Sequence, residues 1–347
     1  MLSQFPKNNP ASKLDSVTEA IEAGSLKQVA RVVNKGLSTS DIALLIESSP
    51  PKERALIWRL LEQELKGDVL QYLGEDIQAQ FLSKLNTQEV ISVTEDLDTD
   101  DLADILQLLP KTVIQEVLNA MDTQDRHRVE QVLSYPEDTA GGLMNTDTIT
   151  IRPDISIDVV LRYLRRHRSL PEMTDKLLVV SNNDELIGSL PVNTLLVTNT
   201  SSTVREVMDT DIVTIDVKMI DSDIAKLFER QDLVSAPVID SENVLLGRIT
   251  IDDVVDVIRE DADHSLMSMA GLDEEVDTFA PVKQTATRRA VWLGINLITA
   301  FIASSVIGIF KGTIEEVVAL AVLMPIVASM GGVAGSQTLT LVIRAMA

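Results

Sequence analysis

Apolar residues along this chain fall into three successive regimes. From residue 13 to 135 they recur with a helical period and no strand-like alternation. Leu102, Ile105, Leu106 and Leu109 follow i, i+3, i+4, i+7, and so do Ile114, Val117, Leu118 and Met121. Breakers recur every dozen or so residues, at Gly24, Gly36, Pro50-Pro51, Gly67, Gly74 and Pro110. Many short helices in this rhythm predict an all-α solenoid of helical hairpins over residues 1–135; the pattern leaves its handedness open. From 136 to 260 short apolar runs alternate with helical stretches, and the pattern repeats. Beyond Arg289 polar positions almost vanish. Ala290–Phe310 is 21 uncharged residues, Lys311–Glu316 a six-residue polar hinge, and Val317–Ile343 a further 27 uncharged residues. At ~1.5 Å per residue the first run covers a hydrocarbon core of about 30 Å, so both read as transmembrane helices.

Charge divides the chain at the same place. Its 347 residues carry 53 Asp+Glu against 30 Lys+Arg, a net charge of −23, whereas Lys311, Glu315, Glu316 and Arg344, the charged residues after Arg289, sum to zero. The excess therefore belongs to residues 1–289, and it argues against a nucleic-acid partner. The absence of cysteine removes disulfides, thiolate metal sites and cysteine nucleophiles. His127, His167 and His264 form no H-E-x-x-H, and no P-loop or nucleophile elbow is present, so no enzyme class is supported. Met1–Leu14 is polar and carries no signal peptide. Lys283, Arg288 and Arg289 precede the first apolar run, while the hinge holds one Lys against two Glu. That asymmetry predicts a multi-pass protein of the cell (inner) membrane, with residues 1–289 and Arg344 on the cytoplasmic side and Trp292 at the bilayer interface.

The second apolar run reads Pro325-Ile-Val-Ala-Ser-Met-Gly-Gly-Val-Ala-Gly-Ser-Gln337. Small residues four apart, such as Gly331 and Gly335, would let helices pack closely. Alternatively, Pro325 and Gly331–Gly335 break the helix and expose carbonyls to a water-filled path. Both readings are open from this segment alone.

The middle region is a tandem repeat. Met144-Asn-Thr-Asp-Thr-Ile-Thr-Ile151 aligns with Met208-Asp-Thr-Asp-Ile-Val-Thr-Ile215 at an offset of 64, and Leu178–Gly188 aligns with Pro237–Gly247 at an offset of 59. Each copy reads β-α-β-β-α. The pair resembles two CBS modules, 139–198 and 203–260, the second with the fuller motif Gly247-Arg-Ile-Thr250-Ile-Asp-Asp253. In nucleotide-binding CBS pairs the Thr and Asp of such a motif hold phosphate and ribose, which makes Thr250 and Asp253 candidates for ATP. The first copy has Asn193 opposite Asp252 and lacks the second acid, so a nucleotide-free structural pair is the competing reading.

Two acidic clusters stand out. Glu95, Asp96, Asp98, Asp100, Asp101 and Asp104 place six acids and no base in ten residues. Helix capping at Asp98 or Thr99 and a favourable first-turn dipole account for part of this. Asp252, Asp256, Glu260 and Asp263 then fall at i, i+4, i+8 and i+11, on one face of a helix leaving the second repeat, flanked by Asp253 and Asp261 with Arg259 as the nearby base. Like charges at i, i+4 destabilise a helix by roughly 0.2–0.5 kcal/mol per pair. Such a row is frustrated unless a cation fills it, and all-oxygen ligands favour Mg²⁺ or Ca²⁺ over zinc, with shared carboxylates and retained water suiting Mg²⁺.

Helical array, CBS pair, acidic helix and membrane domain, in this order, resemble the MgtE magnesium transporters over essentially the whole chain. The most telling segments are Tyr135-Pro-Glu-Asp-Thr-Ala-Gly-Gly-Leu-Met144, Ile251-Asp-Asp-Val-Val-Asp-Val-Ile258, Phe279-Ala-Pro-Val282, Arg289-Ala-Val-Trp-Leu293 and the Pro325–Gln337 stretch. The resemblance implies a homodimeric Mg²⁺ channel gated by cytosolic Mg²⁺. Asp98, Asp101 and Asp104 would face Asp252, Asp256 and Glu260, with Asp263 extending the row. Residues 261–285 would be a connecting, plug-like helix, and 286–347 part of a membrane domain with Pro325, Gly331, Gly332, Gly335 and Gln337 at the pore. Val333 stands where the family motif has Asn. The family's membrane domain has five helices, and its main ion-binding Asp lies in the last, beyond Ala347. The alternative is therefore a membrane-anchored CBS-type nucleotide or divalent-ion sensor that does not itself conduct.

Overall fold

Eight consecutive helices start twelve residues apart. Their N-cap residues are Ser38, Pro50, Glu62, Gly74, Asn86, Asp98, Pro110 and Asp122. The computed structural model describes residues 17, 19–21, 23–95, 97–166, 170, 171, 173–269, 279 and 282–346. The signal-peptide reading of Met1–Leu14, and Asp96 of the first acidic cluster, lie outside these. After α1 (Leu26–Gly36) the N-caps open α2 (Thr39–Glu47), α3 (Pro51–Leu60), α4 (Gln63–Gln71), α5 (Glu75–Leu82), α6 (Thr87–Thr94), α7 (Thr99–Gln107), α8 (Lys111–Ala120) and α9 (Thr123–Val132). Alternate helices pack on one another: α1 on α3, α2 on α4, α4 on α6, α6 on α8, and α7 on α9. This is the solenoid that the apolar rhythm predicts, because each short helix can bury its stripe only against its neighbours.

The caps come from chemistry the sequence displays. Ser38 and Asp41 form a reciprocal capping box, as do Asn86 and Glu89. Pro50 and Pro110 set extended entries, and Pro51 fills a first-turn position that needs no N–H. Gly67 is a correction. It lies inside α4 rather than at a boundary, and a Cβ there would come within 2.4 Å of the Val93 carbonyl of α6. That glycine is a contact between helices. The array's core gathers Val33, Ile42, Ile57, Leu70 and Phe81, with the Trp58 ring stacked on Phe81 at 4.5 Å.

After the short α10 (Ala140–Leu143), each repeat builds a three-stranded sheet. The first contains β1 (Thr150–Ile151), α11 (Ile157–Arg166), β2 (Lys176–Val180), β3 (Leu186–Pro191) and α12 (Val192–Val197). The short α13 (Val204–Val207) leads into the second, with β4 (Ile215–Asp216), α14 (Asp221–Gln231), β5 (Ser235–Ile239), β6 (Leu245–Thr250) and α15 (Ile251–Met269). In both sheets the first strand runs parallel to the second and the second antiparallel to the third. The copies also exchange edges. Asn145 and Arg248 swap backbone bonds of 2.8 and 2.9 Å, and Ser189 and Asp209 swap two of 2.8 Å. Gly247 and Gly188 permit this approach, since a Cβ would fall 2.8 Å from the Asn145 oxygen and 2.7 Å from the Asp209 oxygen.

The array and the second repeat share a core. Ala103 of α7 and Val132 of α9 cluster with Ile224, Phe228, Val238, Ile249 and Val254. That packing seats the acidic start of α7 beside α15. The segment read as a separate connector from Asp261 onward begins inside α15, which continues to Met269.

Ala280–Ala347 form a second unit. It consists of α16 (Val282–Ile309), α17 (Lys311–Glu316) and α18 (Val318–Met346). Ala290–Ile309 and Val318–Val342 are each long and apolar enough to cross a membrane, with mean hydropathy 2.0. The predicted hinge is itself a helical turn, α17. The broken-helix reading of the second span is overturned: α18 stays helical through Pro325, Gly331, Gly332, Gly335 and Gln337. Beside those three glycines nothing lies within 4 Å of a would-be Cβ.

Candidate metal centre

Between α7, α15 and the segments around Glu137 and Asp221 lies a cavity of about 430 Å³. Among the described residues it is lined by ten carboxylates and a single base, Arg259. Asp100, Asp101 and Asp104 come from the first two turns of α7, and Asp253, Asp256 and Glu260 from one face of α15. Glu137 and Asp138 belong to the Tyr135–Met144 segment, Asp221 opens α14, and Glu75 opens α5. The Tyr135–Met144 segment is held close by its glycines, since a Cβ on Gly142 would lie 2.6 Å from the Pro136 oxygen. Arg259 reaches Asp256 at 3.9 Å with both side chains largely exposed, a pair that supplies little compensation.

The electrostatics follow from crowding acids with too little counter-charge. Asp100 is buried, and its Oδ1 has no hydrogen-bond partner. Burial first, then the charges of Asp253, Asp101 and Asp98, hold its carboxyl well above the usual carboxylate range. Desolvation, followed by Asp253 and Asp98, pushes Asp101 to about 7. Desolvation on its protein side, followed by Glu137, Asp101 and Glu260, raises Asp104 to about 8, although its outer edge opens to solvent. Asp253 rises to about 6 through desolvation and Asp252, against hydrogen bonds from Thr250 that pull it down. Desolvation also raises Asp221, Asp256 and Glu260. An added cation would supply the charge that these groups lack.

Of the residues expected from sequence, Asp101, Asp104, Asp256 and Glu260 line the cavity together. Asp98 and Asp252 stand just behind, close enough for both to raise Asp101. Asp263 continues the row along α15 and does not line the cavity. Asp98 occupies the N-cap position of α7, but its side chain makes no cap bond, so capping does not explain this acid. Asp253, a candidate nucleotide ligand from sequence, also faces the cavity, and its Oδ2 accepts from the Thr250 hydroxyl at 2.9 Å and the Thr250 N–H at 3.3 Å. The Thr250 hydroxyl also contacts Asp252. Asp100, Glu137, Asp138, Asp221 and Glu75 were missed. Glu137 and Asp138 were visible in the Tyr135–Met144 motif, and Asp100 in the cluster itself; Glu75 and Asp221 had no local signal. Among the described residues no three Asp, Glu or His side chains are arranged to hold one metal ion directly.

Residues 37–138 match the model of the MgtE intracellular N domain, and residues 140–197 and 204–260 match the CBS domain model. The magnesium transporter MgtE of Bacillus subtilis is 30% identical over 325 residues, covering 93% of this chain and 71% of that protein. The chain belongs to the MgtE family. The MgtE of Thermus thermophilus is 30% identical over 337 residues, covering 96% of this chain and 75% of that one. A solved MgtE cytosolic domain, of a Mg²⁺ channel and in complex with ATP, superposes with a TM-score of 0.64 at 30% identity, covering 70% of this chain and 99% of that one. The soluble part of another magnesium transporter, 19% identical, shares the fold with a TM-score of 0.62, covering 73% of this chain and 100% of that one. These MgtE relatives are transporters rather than enzymes.

Proposed function

We propose that this chain serves Mg²⁺ transport across a membrane and that its acidic cavity is the cytosolic Mg²⁺ sensor that regulates it. One observation carries the reading: ten carboxylates and one loosely paired arginine surround a single cavity, with the buried Asp100 Oδ1 lacking a partner. Without ions the acids of α7 and α15 repel across the cavity. With Mg²⁺ between them the repulsion becomes attraction, and the array is held on the second repeat. A ligand that favours the closed over the open arrangement shifts the population toward closure. Mg²⁺ dehydrates reluctantly and keeps several waters. Hydrated ions bridged through water suit walls that do not converge on one point.

In this reading Asp100, Asp101, Asp104, Asp253, Asp256 and Glu260 are the principal ligands, and Asp98, Asp252 and Asp263 act at longer range. Residues 1–289 lie in the cytoplasm, and the active form is a homodimer. Millimolar Mg²⁺ is expected to slow proteolysis over residues 95–110 and 250–269 of the full chain, an effect that neutralising Asp101, Asp104, Asp256 and Glu260 together removes. Identical digestion of the unaltered chain with and without Mg²⁺ would sink the sensor. Growth rescue of a strain lacking Mg²⁺ uptake tests transport itself.

The ATP-bound relative supports a nucleotide on the repeat pair as well. Calorimetry with ATP on the full chain, with Asp253→Ala as the comparison, tests whether Thr250 and Asp253 contribute.

A further inference from the structure

The Arg54 guanidinium is buried, at 2% exposure, in the array. Its Nε donates to the carbonyls of Ile46 at 2.9 Å and Ser49 at 2.7 Å, and its Nη2 to Glu47 at 2.9 Å. These bonds close the C-terminal end of α2, where unpaired carbonyls and the helix dipole favour a cation. The Phe279 ring lies against the same guanidinium, 5.3 Å from Cζ to centroid. That distance is within cation–π range, and a guanidinium that directs its edges to carbonyls keeps its face for a ring.

Phe279 comes more than two hundred residues after Arg54. It is the last residue of the first unit, three positions before Val282 begins α16. The Phe279 ring is thus packed against the second and third helices of the solenoid, far along the chain from the acids of α7. We propose that Arg54 and Phe279 form a strap by which the helical array grips the membrane tether directly. The inference rests on the sensor reading for its purpose: closure of the array would pull on the tether through Phe279 as well as along α15. Arg54 sets the position of the ring through the α2 end, and Phe279 is the detachable half.

Limited proteolysis of the full chain, with cleavage sites mapped by mass spectrometry, compares unaltered protein with Phe279→Ala, Phe279→Leu and Phe279→Trp in saturating MgCl₂ and in EDTA. In MgCl₂, Phe279→Ala is expected to raise the cleavage rate over residues 270–281 about five- to tenfold. Phe279→Leu, which keeps apolar bulk without a π face, should behave nearly as Ala does, and Phe279→Trp should retain the protection. Cleavage of Phe279→Ala at the unaltered rate, or full protection by Leu, would overturn the strap. The sensor is read separately, from Mg²⁺ protection of residues 99–107 and 251–269, which the Phe279 variants should leave in place. The two readings can therefore fail independently.

Discussion

The start of α7 and the start of α6 occupy the same place in a twelve-residue cycle and use their acids in opposite ways. At α6, Asn86 accepts from the Glu89 N–H at 3.0 Å, and Glu89 accepts in return from the Asn86 N–H at 2.9 Å. At α7 the corresponding residues are Asp98 and Asp101, and neither closes a capping box. The exposed Glu89 stabilises its own helix, whereas Asp101 faces other acids across a cavity and sits near pH 7 in its ionisation. Position within a helix sets what a carboxylate can do locally; what packs on that helix decides what it does. At the start of α7, which lines a cavity with α15, that local stabilisation is absent.

Neutralising the cavity should break this contrast most severely. Exchanging Asp101, Asp104, Asp256 and Glu260 for their amides is expected to abolish the Mg²⁺ response and leave the array docked in EDTA, as read by hydrogen exchange over α7. The same exchange at Asp41, Glu89 and Asp125 should leave the Mg²⁺ response untouched.

Acidity offers a second, reversible route. The raised carboxyls bind more protons in the docked protein than in the unfolded chain, whose Asp value is 3.8. Without metal, stability should therefore fall as pH rises from about 4 through the docked values near 6, 7 and 8. Above that window the full cost of ionisation is present, and Mg²⁺ should stabilise most there. Thermal melts in EDTA from pH 5 to 9 measure the slope, and a rise in stability across that window would contradict the charge assignment.

Smaller effects sharpen the structural side. Gly67→Ala forces a Cβ to within 2.4 Å of a backbone oxygen and should cost about 1–3 kcal/mol by urea unfolding. Asn86→Ala should cost about 1 kcal/mol by losing its cap, and Asp98→Ala measurably less. Equal losses at Asn86 and Asp98 would erase the distinction between the two helix starts.

Much of this was legible in the sequence. The apolar period, the tandem repeat and the two uncharged runs define the elements without reference to contacts, and i, i+4 spacing puts Asp252, Asp256 and Glu260 on one face. Gly67 was misread because a glycine that ends a helix and one that admits a neighbouring backbone look alike in one dimension. The motif around Asp253 is local and suggested a nucleotide, whereas its place in the cavity was hidden because α7, which helps build that cavity, lies more than a hundred residues earlier. Asp221 and Glu75 join the site only through tertiary packing, which no spacing rule encodes. The continuity of α18 was equally hidden, since a proline followed by glycines is compatible with both an interrupted and an unbroken span.

The exchange of backbone bonds between Asn145 and Arg248 has a mechanical consequence. It pins the chain leaving the array to the strand that feeds directly into α15. Thr146 reinforces the same spot, its hydroxyl 3.2 Å from that of Thr99 at the head of α7. The two acid rows thus share a fulcrum close to one end. Sliding past each other would cost those bonds, so the accessible movement is a swing that opens the far ends of the rows, near Asp104 and Glu260, before the near ones.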